Sequence, residues 1–217
     1  MQAILIRPAK AFNFNGLPEE VRARIYSHYF ASKGAGGAIT LEGKRKSNGE
    51  VYAKLYADGS KYRVGLLSVN KEIYSKALPI FYAHNLTFEN TSTLMEFLSN
   101  IKDIRPLITE VTIKIWIKTT SKTAMGILAE SPRMTKLHID SGVYSEGDPV
   151  KAVKSFYDQT YKFLEAVGAV KGDPAAAVDV LSFGKQAFKY KDDKKIEKPW
   201  SSQLVEEFKK ALREKLR

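Results

Sequence analysis

The chain of 217 residues has an ordinary globular composition, with 44% hydrophobic and 27% charged residues, and its short apolar runs exclude a membrane span or a signal-peptide core. It contains no cysteine, which excludes disulfides, thiolate zinc sites and cysteine nucleophiles and is typical of a reducing compartment. The net charge is +11, of which residues 44–63 contribute +4 and residues 185–217 contribute +5. We therefore expect a cytoplasmic or nuclear protein whose basic segments are either solvated surface or a contact for a polyanion.

The first predicted helix lies in GLPEEVRARIYSHYF, residues 16–30. Pro18 suits the first helical position, where a missing N–H costs nothing. Val21, Ile25 and Tyr29 follow at i, i+4 and i+8 and so share one face. We interpret this apolar stripe as the face that packs into the core.

Residues 38–66 predict a three-stranded antiparallel meander. Asn48-Gly49 and Asp58-Gly59 supply the positive φ angles that two-residue hairpin turns need. Along the middle strand, apolar residues alternate with tyrosines and a lysine. The basic and aromatic side chains of this segment could contact phosphates and stack on bases, or they could be solvated lysines and core-covering tyrosines. They are Lys44, Arg45, Lys46, Tyr52, Lys54, Tyr56, Lys61 and Arg63.

Two further helices are predicted in the first half of the chain. Residues 68–85 carry apolar side chains at helical spacing, with Asn70 or Ser68 as the cap. Pro79 either ends this helix near residue 78 or begins another turn. Residues 91–101 follow a short strand, with Thr91 or Ser92 as the cap. The apolar face of the earlier helix consists of Val69, Ile73, Ala77 and either Ile80 or Phe81. The 16–30 stripe would pack against Val69, Ile73 and Phe81.

The second half of the chain alternates between strands and helices. Residues 108–117, 121–131 and 134–142 predict a strand, a helix and a second strand, a unit that gives two parallel strands with a right-handed crossover. A longer helix begins at the Asp148 cap, and residues 175–184 predict one more strand. After a charged loop at 189–199, an amphipathic helix ends the sequence, with Leu204, Phe208, Leu212 and Leu216 at i, i+4 spacing.

Few residues suggest catalysis. His138 and Asp140 share one face of a predicted strand, as a general base and its orienting carboxylate would, and a structural histidine is the alternative interpretation. The glycine-rich GAGGAITLEGKRK does not fit a phosphate-binding loop, because five residues instead of four separate Gly37 from Gly43 and Arg45 stands where a hydroxyl is needed. We therefore expect no enzyme, no metal and no cofactor.

The order of motifs resembles that of a large group of fungal F-box-like proteins. Their pattern is a Leu-Pro-x-Glu-hydrophobic-Arg-x-x-Ile-Tyr helix, then a Leu-Leu-x-Val-Asn-x-x-Ile helix that leads into Ala-Leu-Pro-x-Phe-Tyr, then an Asn-x-x-x-Phe strand. The resemblance covers about residues 12–118. The matching positions are Leu17, Pro18, Glu20, Val21, Arg22, Ile25, Tyr26, Leu66, Leu67, Val69, Asn70, Ile73, Ala77, Leu78, Pro79, Phe81, Tyr82, Asn85 and Phe88.

This resemblance implies an α+β fold. F-box-like helices with the inserted meander would occupy residues 1–107, and strand–helix–strand units resembling short irregular leucine-rich repeats would occupy residues 108–217, in one compact unit. F-box domains dock on the Skp1 adaptor of cullin ubiquitin ligases, while a C-terminal part holds the substrate.

The resemblance thus implies a non-enzymatic interaction protein with a protein partner, possibly a Skp1-like adaptor. The open alternative is nucleic-acid binding through the basic meander and the basic C-terminal helix. The residues expected to contact a protein partner are Leu17, Pro18, Ile25, Tyr26, Val69 and Tyr74.

Overall fold

A computed structural model of the chain describes residues 12–31, 39–45, 51–55, 63–144, 146–191 and 195–217, with the backbone alone for 39–45, 51–55 and 63–64. The helices are α1 (Glu19–Phe30), α2 (Lys71–Tyr82), α3 (Thr91–Asn100), α4 (Lys118–Leu128), α5 (Pro149–Lys171) and α6 (Ser202–Leu216). The strands are β1 (Ile39–Arg45), β2 (Val51–Leu55), β3 (Leu86–Asn90), β4 (Glu110–Ile115), β5 (Lys136–Tyr144), β6 (Leu181–Lys191) and β7 (Glu197–Pro199). Short 3-10 helices lie at Phe14–Gly16, Arg63–Ser68, Lys102–Leu107 and Pro174–Val180.

The strands described form one sheet in the order β2-β1-β3-β4-β5-β6-β7. Strands β1, β3, β4, β5 and β6 are parallel and follow one another in chain order, whereas β2 and β7 are antiparallel strands at the two edges. Helical segments connect the parallel strands, and right-handed crossovers place such helices on the same side of a sheet. Helices α3 to α6 contact one another in chain order. The expected mixed α+β architecture is confirmed.

The core lies between this helical layer and one face of the sheet. Alternate residues of the parallel strands point into it, as the period of two requires. Leu86, Val111, Leu137 and Leu181 stand side by side in register, and all four are buried. The opposite face carries Thr87, Thr112, His138 and Ser182 in the same register.

The strand–helix unit recurs at a nearly constant spacing in the middle of the chain. Leu86 and Val111 are register partners 25 residues apart, and Val111 and Leu137 are register partners 26 residues apart. Each of these units has one strand followed by one α-helix, and the first also contains the 3-10 helix Lys102–Leu107. The position 107/108, where the sequence suggested a division, therefore falls between two neighbouring strands of one sheet.

The buried face of α1 differs from the prediction. Tyr26 and Phe30 are buried, whereas Val21, Ile25 and Tyr29 are 40%, 39% and 41% exposed. The rings of Tyr26 and Phe30 contact those of Phe14 and Phe81, and large aromatic side chains bury more area than Val or Ile. The expectation that the Val21 stripe packs into the core was wrong.

The predicted meander is formed only in part. Its first two strands are present as β1 and β2, which pair antiparallel, but residues 63–68 form a 3-10 helix and not a third strand. Strand β3 pairs parallel with the other edge of β1, so that β2 is the edge strand of the described sheet. Both predicted hairpin turns, at Asn48-Gly49 and Asp58-Gly59, lie outside the described residues.

Several local predictions can be compared with the observed helix ends. Asn70 caps α2 as expected, because its side chain accepts a hydrogen bond from the Ile73 N–H at 2.8 Å, and Pro79 is accommodated inside the helix. Asn90, and neither Thr91 nor Ser92, caps α3. Residues 174–180 form a 3-10 helix where a strand was expected, since the Asp173 side chain caps a helical turn that opens with Pro174. None of the helices in the described ranges is both long enough and apolar enough to cross a membrane.

Candidate functional site

The exposed side of α1 is the first candidate surface. Two ion pairs join this helix to α2, Arg22 to Glu72 at 2.8 Å and Lys76 to Glu19 at 2.6 Å. The hydrogen bond from Lys76 lowers the pKa of Glu19, as expected for a carboxylate beside an ammonium group. Because these pairs and the buried rings fix α1 against α2, Val21, Ile25 and Tyr29 form an apolar stripe that faces outward. We call these three residues the α1 stripe.

The predicted partner-contact residues occupy different environments. Val69 and Tyr74 are 60% and 41% exposed, and Ile25 belongs to the α1 stripe. Pro18 is exposed and Leu17 is half-buried. Tyr26 is only 2% exposed, so it offers a partner almost no surface and instead anchors α1 to the core.

A shallow cavity of about 400 Å³ lies beside the start of α2. Phe12, Phe14, Leu66, Val69 and Ile73 contribute to its lining, so that most of its wall is apolar. Phe12 and Val69 are largely exposed at this place. The cavity and the α1 stripe are two exposed apolar features of the first two helices and the residues beside them.

The basic meander is seen only through its backbone. The register of β1 and β2 pairs Lys44 with Tyr52 and Glu42 with Lys54. Arg45 pairs with Val51 at the end of this ladder. Of the predicted nucleic-acid contacts, Lys46, Tyr56 and Lys61 lie outside the described residues, and Arg63 begins a 3-10 helix. The structure therefore brings part of the predicted set together as a two-stranded ribbon at the edge of the sheet.

Many cations of the basic C-terminal segment have partners within the chain. Arg213 contacts Asp179 at 2.8 Å and Lys209 contacts Glu206 at 3.3 Å. The ammonium of Lys215 lies 5.0 Å from the ring centre of Tyr157. Asp179 and Glu206 offset part of the positive charge that the sequence places on α6, and the neutral Tyr157 ring contacts one of its ammonium groups.

The open face of the sheet holds a chain of three polar side chains. His138 and Asp140, two residues apart on β5, do share a face, and Nε2 of His138 lies 2.8 Å from Oδ1 of Asp140. The other ring nitrogen, Nδ1, lies 2.8 Å from the Ser182 hydroxyl. We call Ser182, His138 and Asp140 the open-face relay. Sequence reasoning missed Ser182, because it is 44 residues from His138 and only the parallel register of β5 and β6 places it opposite.

The backbone around Asp140 is shaped to admit its carboxylate. A Cβ atom at Gly184 would stand 2.8 Å from the Asp140 carbonyl oxygen and 3.1 Å from Oδ1. The register of β5 and β6 also shifts between Ile139 and Ser141, since Ile139 pairs with Phe183 and Ser141 with Gln186. Such irregularities re-aim side chains and are common next to functional sites.

A cavity of about 330 Å³ adjoins the relay. Ser182 and Gly184 line it together with Lys185, Phe188 and Trp200. Phe188 and Trp200 stack with their ring centres 4.7 Å apart, which gives the cavity a rigid apolar wall. Among the described residues, no group of three or more His, Asp and Glu side chains could hold a metal ion.

Comparison with known proteins supplies no further information on this chain. No protein-family model, no curated protein and no solved structure matches it.

Proposed function

We propose that this protein is a protein-interaction module that resembles F-box-like substrate adaptors, with the exposed side of α1 as its docking surface for a Skp1-like adaptor. The observation that carries the proposal is the α1 stripe. A helix fixed from behind by Tyr26 and Phe30 exposes a second row of apolar side chains, and exposed apolar surface of this kind marks interaction sites. In this proposal the docking surface binds a protein partner and catalyses no reaction.

The strands in the middle of the chain, from β3 to β5, support the same proposal. Parallel strands in chain order, with helices between them and a spacing of 25 and 26 residues between register partners, are typical of leucine-rich repeats, which have a strand and a helical segment in each repeat of 20–29 residues. This strand order and spacing support the interpretation of these units as short irregular repeats. In this proposal the part of the chain from residue 108 onwards holds the substrate.

The test uses a purified Skp1-like adaptor and isothermal titration calorimetry. We expect binding in the micromolar range or tighter, and a loss of at least tenfold in affinity when Val21→Asp and Ile25→Asp are combined, because both changes place charge on the docking surface. Ser27→Asp is the matched control, since Ser27 is exposed on the same helix but lies outside the α1 stripe. Absence of binding, or equal binding by the double variant and the wild type, would remove the proposed function.

Nucleic-acid binding is the second candidate, and the β1–β2 ribbon favours it. The ladder pairs a lysine with a tyrosine at Lys44 and Tyr52, and two-stranded ribbons can enter a DNA major groove. Several cations of α6 already have partners within the chain. The ribbon is therefore favoured over the C-terminal helix as the contact for nucleic acid.

Fluorescence anisotropy with single-stranded RNA and duplex DNA at several salt concentrations tests this candidate. Nucleic-acid binding through the ribbon should weaken steeply with salt, and Lys44→Glu with Arg45→Glu should reduce affinity at least tenfold. Lys154→Glu with Lys162→Glu makes the same charge change on exposed positions of α5 and should have a much smaller effect. An equal loss in both double variants would indicate a general charge effect and contradict a specific ribbon contact.

A further inference from the structure

We propose that the open-face relay is a catalytic site for acyl transfer, in which Ser182 is the nucleophile and His138 its general base, and that it hydrolyses esters of small carboxylic acids. This activity goes beyond the proposed function and does not depend on it, since the relay lies on the sheet and not on α1. A nucleophile within hydrogen-bond reach of a base, with the base held by a third group, is the arrangement that activates a serine. Such sites are recognised by geometry and not by the order of residues in the chain.

The geometry of the relay assigns one role to each side chain. With the Nε2 proton donated to Asp140, the Nδ1 nitrogen of His138 is free to accept the hydroxyl proton of Ser182. Both heavy-atom distances are 2.8 Å, within the range for proton transfer. Asp140 does not touch the substrate in this arrangement, and it acts as a positioning residue that fixes the orientation of the imidazole ring.

Three neighbouring features prepare the site for this role. His138 is half-buried, and its ring is held through both nitrogens by Ser182 and Asp140. Gly184 leaves the space that the Asp140 carboxylate occupies. The register shift between β5 and β6 starts directly after the pair Ile139 and Phe183, and a bulged residue leaves the regular ladder.

The chemical step balances without a cofactor. The Ser182 oxygen attacks the ester carbonyl carbon while its proton passes to Nδ1 of His138. The carbon–oxygen bond to the alcohol then breaks, and the alcohol leaves with that proton. A water molecule, deprotonated by His138, hydrolyses the acyl-serine and returns Ser182 with release of the carboxylic acid.

The adjoining cavity defines the class of substrate. Its volume of about 330 Å³ and its wall of Phe188 and Trp200 suit a small apolar acyl group. Lys185, Lys209 and Glu206 also line it. Lys209 is paired with Glu206 at 3.3 Å, so Lys185 is the cation whose charge favours the oxyanion that forms during attack. The substrate is therefore a neutral or anionic ester with a short acyl chain.

The experiment combines covalent labelling with turnover on the full chain. A fluorophosphonate probe should form a serine adduct, with loss of fluoride, that peptide mapping places at Ser182. p-Nitrophenyl acetate should be hydrolysed, and Ser182→Ala or His138→Gln should reduce hydrolysis by about 100-fold or more. Asp140→Asn should lower kcat about 100-fold with KM within twofold, as expected for a group that acts through His138 and not on the substrate.

Ser99→Ala is the matched control, because Ser99 is an exposed serine of α3 that does not line the cavity. It should keep labelling and turnover, and circular dichroism of each variant confirms that the fold is retained. Labelling at another residue, labelling no faster than that of the urea-unfolded chain, or unchanged turnover in Ser182→Ala would overturn the proposal.

Discussion

Tyr82, near the end of α2, is a tyrosine whose ring lies inside the core. It is buried, with the rings of Phe81 and Phe97 beside it at 5.1 and 6.4 Å between centres. Burial raises its pKa to about 12, with a smaller contribution from the negative charge that Tyr74 acquires at high pH. A phenolate at this position would have to form in an apolar environment.

This shift predicts a loss of stability at alkaline pH. Between about pH 10 and 12 the unfolded chain loses the Tyr82 proton while the folded chain retains it. The contribution of Tyr82 is therefore fully present below pH 10 and disappears as the pH rises towards 12. We expect the free energy of unfolding to fall by about 2 kcal/mol from this group over that interval.

Urea unfolding of the wild type and of Tyr82→Phe measures the effect. The variant should lack this part of the pH dependence, whereas Tyr29→Phe, at an exposed position, should retain it. If the free energy of unfolding fell equally with pH in the wild type and in Tyr82→Phe, the pKa of the buried phenol would not be raised.

At the scale of elements, α5 is defined at both ends by its own residues. The Asp148 carboxylate accepts hydrogen bonds from the Val150 and Lys151 N–H groups at 2.9 and 3.1 Å. Gly172 ends the helix with φ of 72°, a left-handed conformation that favours glycine. Sequence and structure agree closely here because both signals are local.

Removal of the cap should weaken α5 by a predictable amount. Asp148→Ala leaves two N–H groups without an acceptor, and we expect a loss of about 1 kcal/mol in the free energy of unfolding. Lys154→Ala, at an exposed position on the same helix, should change it by less than about 0.5 kcal/mol. Urea denaturation followed by circular dichroism compares the two, and equal effects would argue against the cap.

Helix α1 shows where local signals are insufficient. Its sequence contains two apolar rows, the α1 stripe and the row of Tyr26 and Phe30. Periodicity alone does not indicate which of the two rows is buried. The choice is made by the partner surface, since Phe81 of α2 receives Phe30. That surface is assembled from residues far along the chain.

At the scale of the whole molecule, α6 closes one end of the core. Phe208 is fully buried, and its ring centre lies 5.6 Å from that of Phe156, 5.7 Å from Phe183 and 4.8 Å from Phe188. It thereby joins α6 to α5 and β6. Phe208→Ala should reduce the free energy of unfolding by about 3–5 kcal/mol.

That loss is large compared with the total stability of a typical domain, about 5–15 kcal/mol. Thermal unfolding of Phe208→Ala, with Leu204→Ala as the partly buried control on the same helix, measures it. A loss no greater than that of the control would show that the ring cluster contributes little.

The sequence predicts the parts of this fold that depend on neighbouring residues. The strands at residues 108–117 and 134–142, the α5 cap and the apolar face of α6 all follow from local spacing. The prediction of a third meander strand was wrong, because residues 63–68 form a 3-10 helix, which the turn signals and the alternation did not indicate. The pairing of His138 with Ser182 could not be predicted either, since it depends on which residues of β5 and β6 stand opposite.

One end of the sheet has a consequence for self-association. Strand β7 is only three residues long, Glu197, Lys198 and Pro199, and all three are exposed. A short strand with two charged residues and a proline gives an incoming chain few backbone groups to pair with. Addition of a further strand along β7 is therefore disfavoured, and in the described part of the sheet β2 offers the longer edge strand.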